Sequence, residues 1–231
     1  MNMKPNLSKY SIHYRDMDPA TADRALSSLQ RRIEDFRLRL DLGKILPWIK
    51  GPDVLDFPIG TGRFYPHLLG RYNVFGYDIA GEYVRRARTR HPEIAAHFAE
   101  CSFETIDASR SFDTIVTLRT LNNVGDTELA VRNVASILKP KGRWIFNYPV
   151  TGARYSELPA LLSRHGLRVI SECDYDFHAG TVHDGSLGQR IYARYLRLIE
   201  AGLVPYAVFG AVDRVFASRG THLFVCEKSV S

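Results

Sequence analysis

Between Asp53 and Gly62 a short apolar run, Asp53-Val-Leu-Asp-Phe57, leads directly into Pro-Ile-Gly-Thr-Gly62. A buried strand that ends in a glycine turn and continues as a helix confines the chain to a small set of folds. Glycines there allow turn dihedrals closed to other residues and let backbone N–H groups approach a bound molecule. The spacing predicts a helix from this turn to about Leu69. A second strand follows over Val74–Asp78 and a helix over Gly81–Arg90, stopped by His91-Pro92. Ala96–Glu100 and Phe112–Leu118 read as strands, Asp126–Leu138 as a helix ended by Lys139-Pro-Lys-Gly142, and Arg143–Asn147 as a fifth strand. Strands alternating with helices over about a hundred residues call for a parallel sheet covered on both faces.

The flanks are built differently. From Pro19 to Asp41 the residues Leu26, Leu29, Ile33, Phe36 and Leu40 recur at steps of three and four, the stripe of an amphipathic helix. After the fifth strand come a helix over Ser156–His165, a strand from Leu167 to about Tyr175, and a last strand in Thr221–Cys226. Residues 176–219 read as an insertion before that last strand. Residues 1–50 form an N-terminal helical lid segment, and 51–231 one domain that carries the insertion. The expected fold is α/β: Rossmann-like, doubly wound, with a mostly parallel seven-stranded sheet and an antiparallel last strand.

Composition removes several alternatives. Three scattered cysteines, Cys101, Cys173 and Cys226, argue against a disulfide framework or a zinc ribbon. The most apolar stretch, Leu203–Val212, is about half the ~20 residues of a membrane span. The start of the chain has no secretory h-region, so a cytoplasmic location is expected. A net charge of +6 permits an anionic partner without requiring one. The cluster Arg85, Arg86, Arg88 and Arg90 reads as a solvated helix face.

An acidic residue, Asp78, closes the second strand 22 positions after Asp56. A carboxylate at that strand end can accept both hydroxyl hydrogens of a ribose. A dinucleotide fingerprint starting at Gly60 would need a small residue where this chain has Tyr65, so NAD is disfavoured. A phosphate-binding P-loop would need Gly-Lys-Ser/Thr, and Gly62 is followed by Arg63-Phe64.

The runs Val54–Gly62, Phe75–Ile79, Phe112–Val116 and Leu138–Gly142, in this order, resemble the successive motifs of the class I S-adenosylmethionine-dependent methyltransferases. The resemblance covers about residues 53–150 and implies S-adenosylmethionine as cofactor, with S-adenosylhomocysteine as product. It implies that Asp56 and the Gly60–Gly62 turn contact the amino-acid end of the cofactor. Asp78 would hold the ribose, Ile79 would pack on the adenine, and Glu100 and the Cys101 N–H would read its edge. Thr117 and Leu118 would line the methionine portion. Pro58 stands where the family usually has glycine, which removes one N–H from the turn.

Methyl transfer from a sulfonium needs mainly alignment, so the family need not carry a catalytic motif. The acceptor is expected to be a small molecule methylated on O or N. The runner-up is RNA, and a binding protein with a decayed site stands beside both. No Asn/Asp-Pro-Pro-aromatic motif follows the fourth strand, and no Pro-Cys nucleophile occurs. Acceptor-side candidates are Arg119, Asn122, Asn123, Asn147 and Tyr148. His183-Asp184 is the candidate base, Tyr10 or Tyr14 the candidate cover over the methionine side, and no metal site is expected. A homodimer is compatible with these readings.

Overall fold

The computed structural model describes residues 41–106, 109–150, 153–175 and 221–230, together with Arg15, Asp16, Asp35, Leu38, Arg39, Arg194 and Leu198. The body of the expected N-terminal helix and, Arg194 and Leu198 apart, the expected 176–219 insertion therefore lie outside the described residues. Residues 41–45 are helical and run into a 3-10 turn at Leu46–Trp48, so helical structure continues past the expected end at Asp41.

Seven strands form one sheet: β1 (Asp53–Asp56), β2 (Asn73–Asp78), β3 (Phe98–Glu100), β4 (Phe112–Thr117), β5 (Leu138–Pro149), β6 (Leu167–Asp174) and β7 (Thr221–Lys228). Their order is β3-β2-β1-β4-β5-β7-β6. The first five pair in parallel, and β7 runs antiparallel to both of its neighbours. Parallel neighbours need crossovers, here carried in part by α1 (Tyr65–Leu68), α2 (Gly81–Arg90) and α3 (Thr127–Ser136), while α4 (Ala153–Arg164) links β5 to β6 across the position of β7.

Alternation along each strand divides the core between the two faces. Leu55, Ile115, Trp144 and Phe146 pack with α3 and α4 through Val131, Val134, Leu158 and Leu162. Val54, Val116 and Ile145 face the other way, onto Leu42, Ile45, Tyr65, Leu68, Val84 and Ala87. Each such side chain taken fully out of water contributes about 1.5–3 kcal/mol before chain entropy is counted. The order changes direction between β1 and β4, and in open α/β sheets ligands bind beyond the strand C-termini at that crossing.

Two elements depart from the sequence expectation. The helix after the glycine turn is a single turn, Tyr65–Leu68, with Pro66 inside it and Gly70 at φ 79° soon after. The backbone approach to a ligand is thus left to the loop itself. Lys139-Pro-Lys-Gly142 does not separate helix from strand either. β5 begins at Leu138, which pairs with Phe112, and the register shifts before Thr114 meets Arg143. Lys141, at φ 59°, sits in that irregular stretch. α2 spans the expected Gly81–Arg90, and Asp126 caps α3 by accepting from the Leu129 N–H at 2.9 Å.

Candidate active site

The C-terminal ends of β1, β2 and β4 open into a cavity of about 350 Å³, within the ~300–1,000 Å³ usual for small-molecule sites. Its floor is the glycine turn. Gly60 (φ 48°) and Gly62 (φ 70°) hold left-handed conformations that a side chain would strain. Main-chain bonds pin the turn on both sides: the Phe57 N–H donates to Val116 O at 2.9 Å, and the Ile59 N–H to Tyr77 O at 3.0 Å. Pro58 lines the cavity between these anchors, so its missing donor is not needed to hold the loop.

Two carboxyl groups converge here. Asp56, at the end of β1, is 3% exposed, and its Oδ2 is buried without a hydrogen-bond partner. Burial pushes its pKa well up, a shift that nearby Arg63 opposes and Asp78 reinforces. Asp78, equally buried, accepts from the Gly60 N–H through Oδ2 and from the Ala80 N–H through Oδ1, each at 2.9 Å. Burial still raises it to about 6 against these backbone donors.

Tyr65, the residue too bulky for a dinucleotide turn, closes the floor from below. It is fully buried and packs edge-on to Phe98 at 5.2 Å. Gly76, the register partner of Asp56, makes room for it: a Cβ there would lie 1.9 Å from the Tyr65 hydroxyl. Burial, and then the two neighbouring carboxylates, hold that phenol un-ionised.

The remaining candidates fall into distinct places. Ile79 and Leu118 line the cavity with Asp56, Pro58, Gly60 and Asp78; Gly62 closes the turn just behind. Thr117 does not reach it, since the residue is buried and its hydroxyl accepts from the Trp144 indole N–H at 3.0 Å. The Glu100 carboxyl turns toward Gly81 and a shallow groove beside α2. The Cys101 N–H, expected to face adenine, donates instead to Asp78 O at 2.8 Å as a continuation of the sheet. Tyr148 is packed into the core. Asn122 is exposed, whereas Asn123, from the 3-10 turn Leu121–Asn123, lines the cavity. Asn147 reaches the site indirectly, as its Oδ1 accepts from the Arg119 N–H. Tyr10, Tyr14, His183 and Asp184 lie outside the described residues.

Several lining residues carried no periodic or motif signal of their own: Arg63, Phe64, Tyr83 and Thr120. Arg63 and Phe64 directly follow the glycine turn, and Tyr83 sits in the first turn of α2, so adjacency to the motif was their only mark. Behind Arg63 lies a buried cluster drawn from distant segments. Asp41, 2% exposed, accepts from Arg63 at 2.7 Å, from Arg119 at 2.9 and 3.1 Å, and from the Tyr175 hydroxyl at 2.5 Å.

Residues 54–142 match a family model described as a methyltransferase domain. Among solved structures, the fold is similar to the N-methyltransferase NodS from Bradyrhizobium japonicum WM9 in complex with S-adenosyl-L-homocysteine. That likeness has a TM-score of 0.53 and 14% identity over 96% of this chain and 97% of that one. A chain from the Haloferax volcanii complex between the Trm112 methyltransferase activator and the putative methyltransferase matches at TM-score 0.61 and 16% identity, covering 99% and 100%. The [4+2]-cyclase SpnF matches at TM-score 0.57 and 16% identity, covering 99% and 88%. No curated protein matches the chain in sequence. Residues 54–142 thus match a methyltransferase domain, and the fold around them is similar to that of S-adenosylmethionine-dependent methyltransferases.

The site residues suit S-adenosylmethionine, the donor that the sequence motifs imply. Its ammonium, sulfonium and ribose hydroxyls ask for acceptors and negative charge, and the cavity offers two buried carboxyls, one with an unsatisfied oxygen. No helix among the described residues is long and apolar enough to cross a membrane. No group of three His, Cys, Asp or Glu side chains among them could hold a metal ion.

Proposed function

We propose that the protein methylates an oxygen or nitrogen atom of a small-molecule acceptor, with Asp78 accepting the ribose hydroxyls of the cofactor and Asp56 facing its ammonium. The observation that carries this reading is the pairing of two dry carboxyls with a glycine turn in a cavity of small-molecule size. Ile79 and Tyr83 offer apolar surface for the adenine, and Leu118 faces the methionine portion. When bound, the cofactor supplies a methyl group on a positively charged sulfur, so no acid is needed to activate the leaving group. The chain's task is alignment, which can contribute up to roughly 7–11 kcal/mol. A hydroxyl or ammonium acceptor also needs a base, and His183-Asp184 is the candidate.

The basic face of α2 supports the small-molecule reading over RNA. Arg85 and Arg86 pair with Glu82, Arg88 donates to Phe98 O at 2.6 Å, and Arg90 to Thr61 O at 3.2 Å. These charges brace the protein. Calorimetric titration with S-adenosylhomocysteine, with NAD as control, tests the cofactor part: micromolar binding of the first alone is expected. Release of S-adenosylhomocysteine on adding small hydroxyl or amine acceptors, and none on adding RNA, is the expected turnover result. Binding of NAD, or turnover on RNA alone, would overturn the reading.

A further inference from the structure

Arg119 follows β4 in a left-handed conformation, φ 62°, that a residue with a Cβ seldom adopts. Lys141 shares that conformation, but it lies in an exposed irregular stretch at the opposite end of the sheet. At Arg119 the surroundings hold the strain in place. Asn147 on β5 accepts its N–H, Asp41 grips its Nη2 through both oxygens, and its guanidinium stands 5.6 Å from the Tyr175 ring centroid. Backbone strain fixed by several independent contacts beside a cavity points to a placed functional group.

The sheet order says which end of the cavity this group serves. Asp78, the ribose residue, ends β2 on one side of β1. Arg119 leaves β4 on the other side and is braced from β5, so it lies beyond the methionine portion, where an acceptor must approach for in-line displacement. Arg63, bound to the same Asp41, lines the same wall. A planar guanidinium whose orientation is fixed by a buried carboxylate matches an oxyanion through paired N–H bonds.

We propose that Arg119, positioned by Asp41 and Asn147 and assisted by Arg63, recognises a carboxylate on the acceptor. The inference rests on the methyltransferase reading above and names the acceptor's chemical class. Asp41 and Asn147 act through Arg119 as positioning residues; Arg119 itself touches the acceptor.

The test uses the full chain saturated with S-adenosylhomocysteine and titrated with acetate, followed by broadening of the acetate methyl resonance. Acetamide and inorganic phosphate are run beside it. Saturable acetate binding is expected, with none for acetamide and weaker binding for phosphate. Arg119→Met should weaken acetate at least tenfold while S-adenosylhomocysteine still binds, which also reports that the variant is folded. Arg119→Lys should restore part of the affinity, and Asp41→Asn should weaken acetate although Arg119 is present. Acetate that binds no better than acetamide, survives Arg119→Met, or competes with S-adenosylhomocysteine would overturn the proposal; competition would hand the two arginines to the cofactor's own carboxylate. Tighter phosphate would overturn the carboxylate assignment. Failure of S-adenosylhomocysteine to bind at all would instead strike the function proposed above, because that titration is read first and separately.

Discussion

β1 carries an aspartate at each end, and the two are treated in opposite ways. Asp53 opens the strand within reach of Lys139, whose Nζ lies 2.6 Å from it and 2.9 Å from Asp113. The Lys139 and Asn73 hydrogen bonds hold its pKa below the ordinary value. Asp56 closes the same strand with a buried, unpartnered oxygen, and burial drives its pKa well up. One carboxylate is satisfied by the fold; the other is left wanting a cationic or hydrogen-donating partner. An unsatisfied buried carboxyl is costly, so the contrast marks the C-terminal edge of the sheet as the end kept for a ligand.

The dry end depends on close packing beneath it, and the largest expected effect comes from disturbing that packing. Gly76→Ala would place a methyl 1.9 Å from the Tyr65 hydroxyl and 2.3 Å from Ile59 Cγ2. Overpacking of this kind costs about 1–3 kcal/mol, to be read by urea unfolding. Adding Tyr65→Phe should recover only part, because the Ile59 contact persists. Full stability in the single variant would show that the floor under Asp56 is looser than described.

A smaller effect should appear with pH. Asp78 sits at about 6, above the ordinary 3.8, because burial penalises its charge. A raised acid favours folding below its unfolded value, and that contribution is lost as pH rises through 6. Cofactor affinity runs the other way, since ribose hydroxyls need the ionised carboxylate. S-adenosylhomocysteine affinity should therefore fall by up to about tenfold per pH unit below 6. A flat profile between pH 5 and 7 would remove Asp78 from the ribose.

The smallest effect belongs to the paired end. Lys139→Met should cost about 0.2–1 kcal/mol, the range for partly exposed ion pairs, and leave S-adenosylhomocysteine affinity unchanged. Because the Asp53 pKa is lowered, its contribution is present above the ordinary 3.8 and is lost as pH falls through its folded value. The variant's penalty should accordingly shrink in acid. A change in ligand affinity would mean that the two ends of β1 are not independent.

The strands of the sheet and the residues on the glycine turn were legible in sequence because they follow local periodicity and a strand–turn–helix pattern, whereas the strand order is a matter of long-range pairing. Asp56, Gly60 and Asp78 reach the cavity for that reason. Thr117 and Tyr148 went astray because a strand's alternation fixes which side a residue faces but not whether a Trp144 indole will claim its hydroxyl. Glu100 and Cys101 were misplaced by the same limit: the strand ends where expected, but one side chain turns to α2 and one N–H stays in the sheet. The Asp41 cluster had no local signal, since Asp41 and Tyr175 are 134 positions apart. Lys139-Pro-Lys-Gly142 read as a turn because it holds proline and glycine, and the register shift lets β5 absorb it.

The most direct test of the contrast within β1 and its neighbour is one calorimetric comparison: S-adenosylhomocysteine titrated into the wild type, Asp78→Asn and Asp53→Asn. Removing the ribose acceptor from the unpaired edge should weaken binding about a hundredfold, while Asp53→Asn should bind as the wild type does. Equal affinities for all three proteins, or a loss confined to Asp53→Asn, would contradict the assignment of the C-terminal edge as the cofactor site.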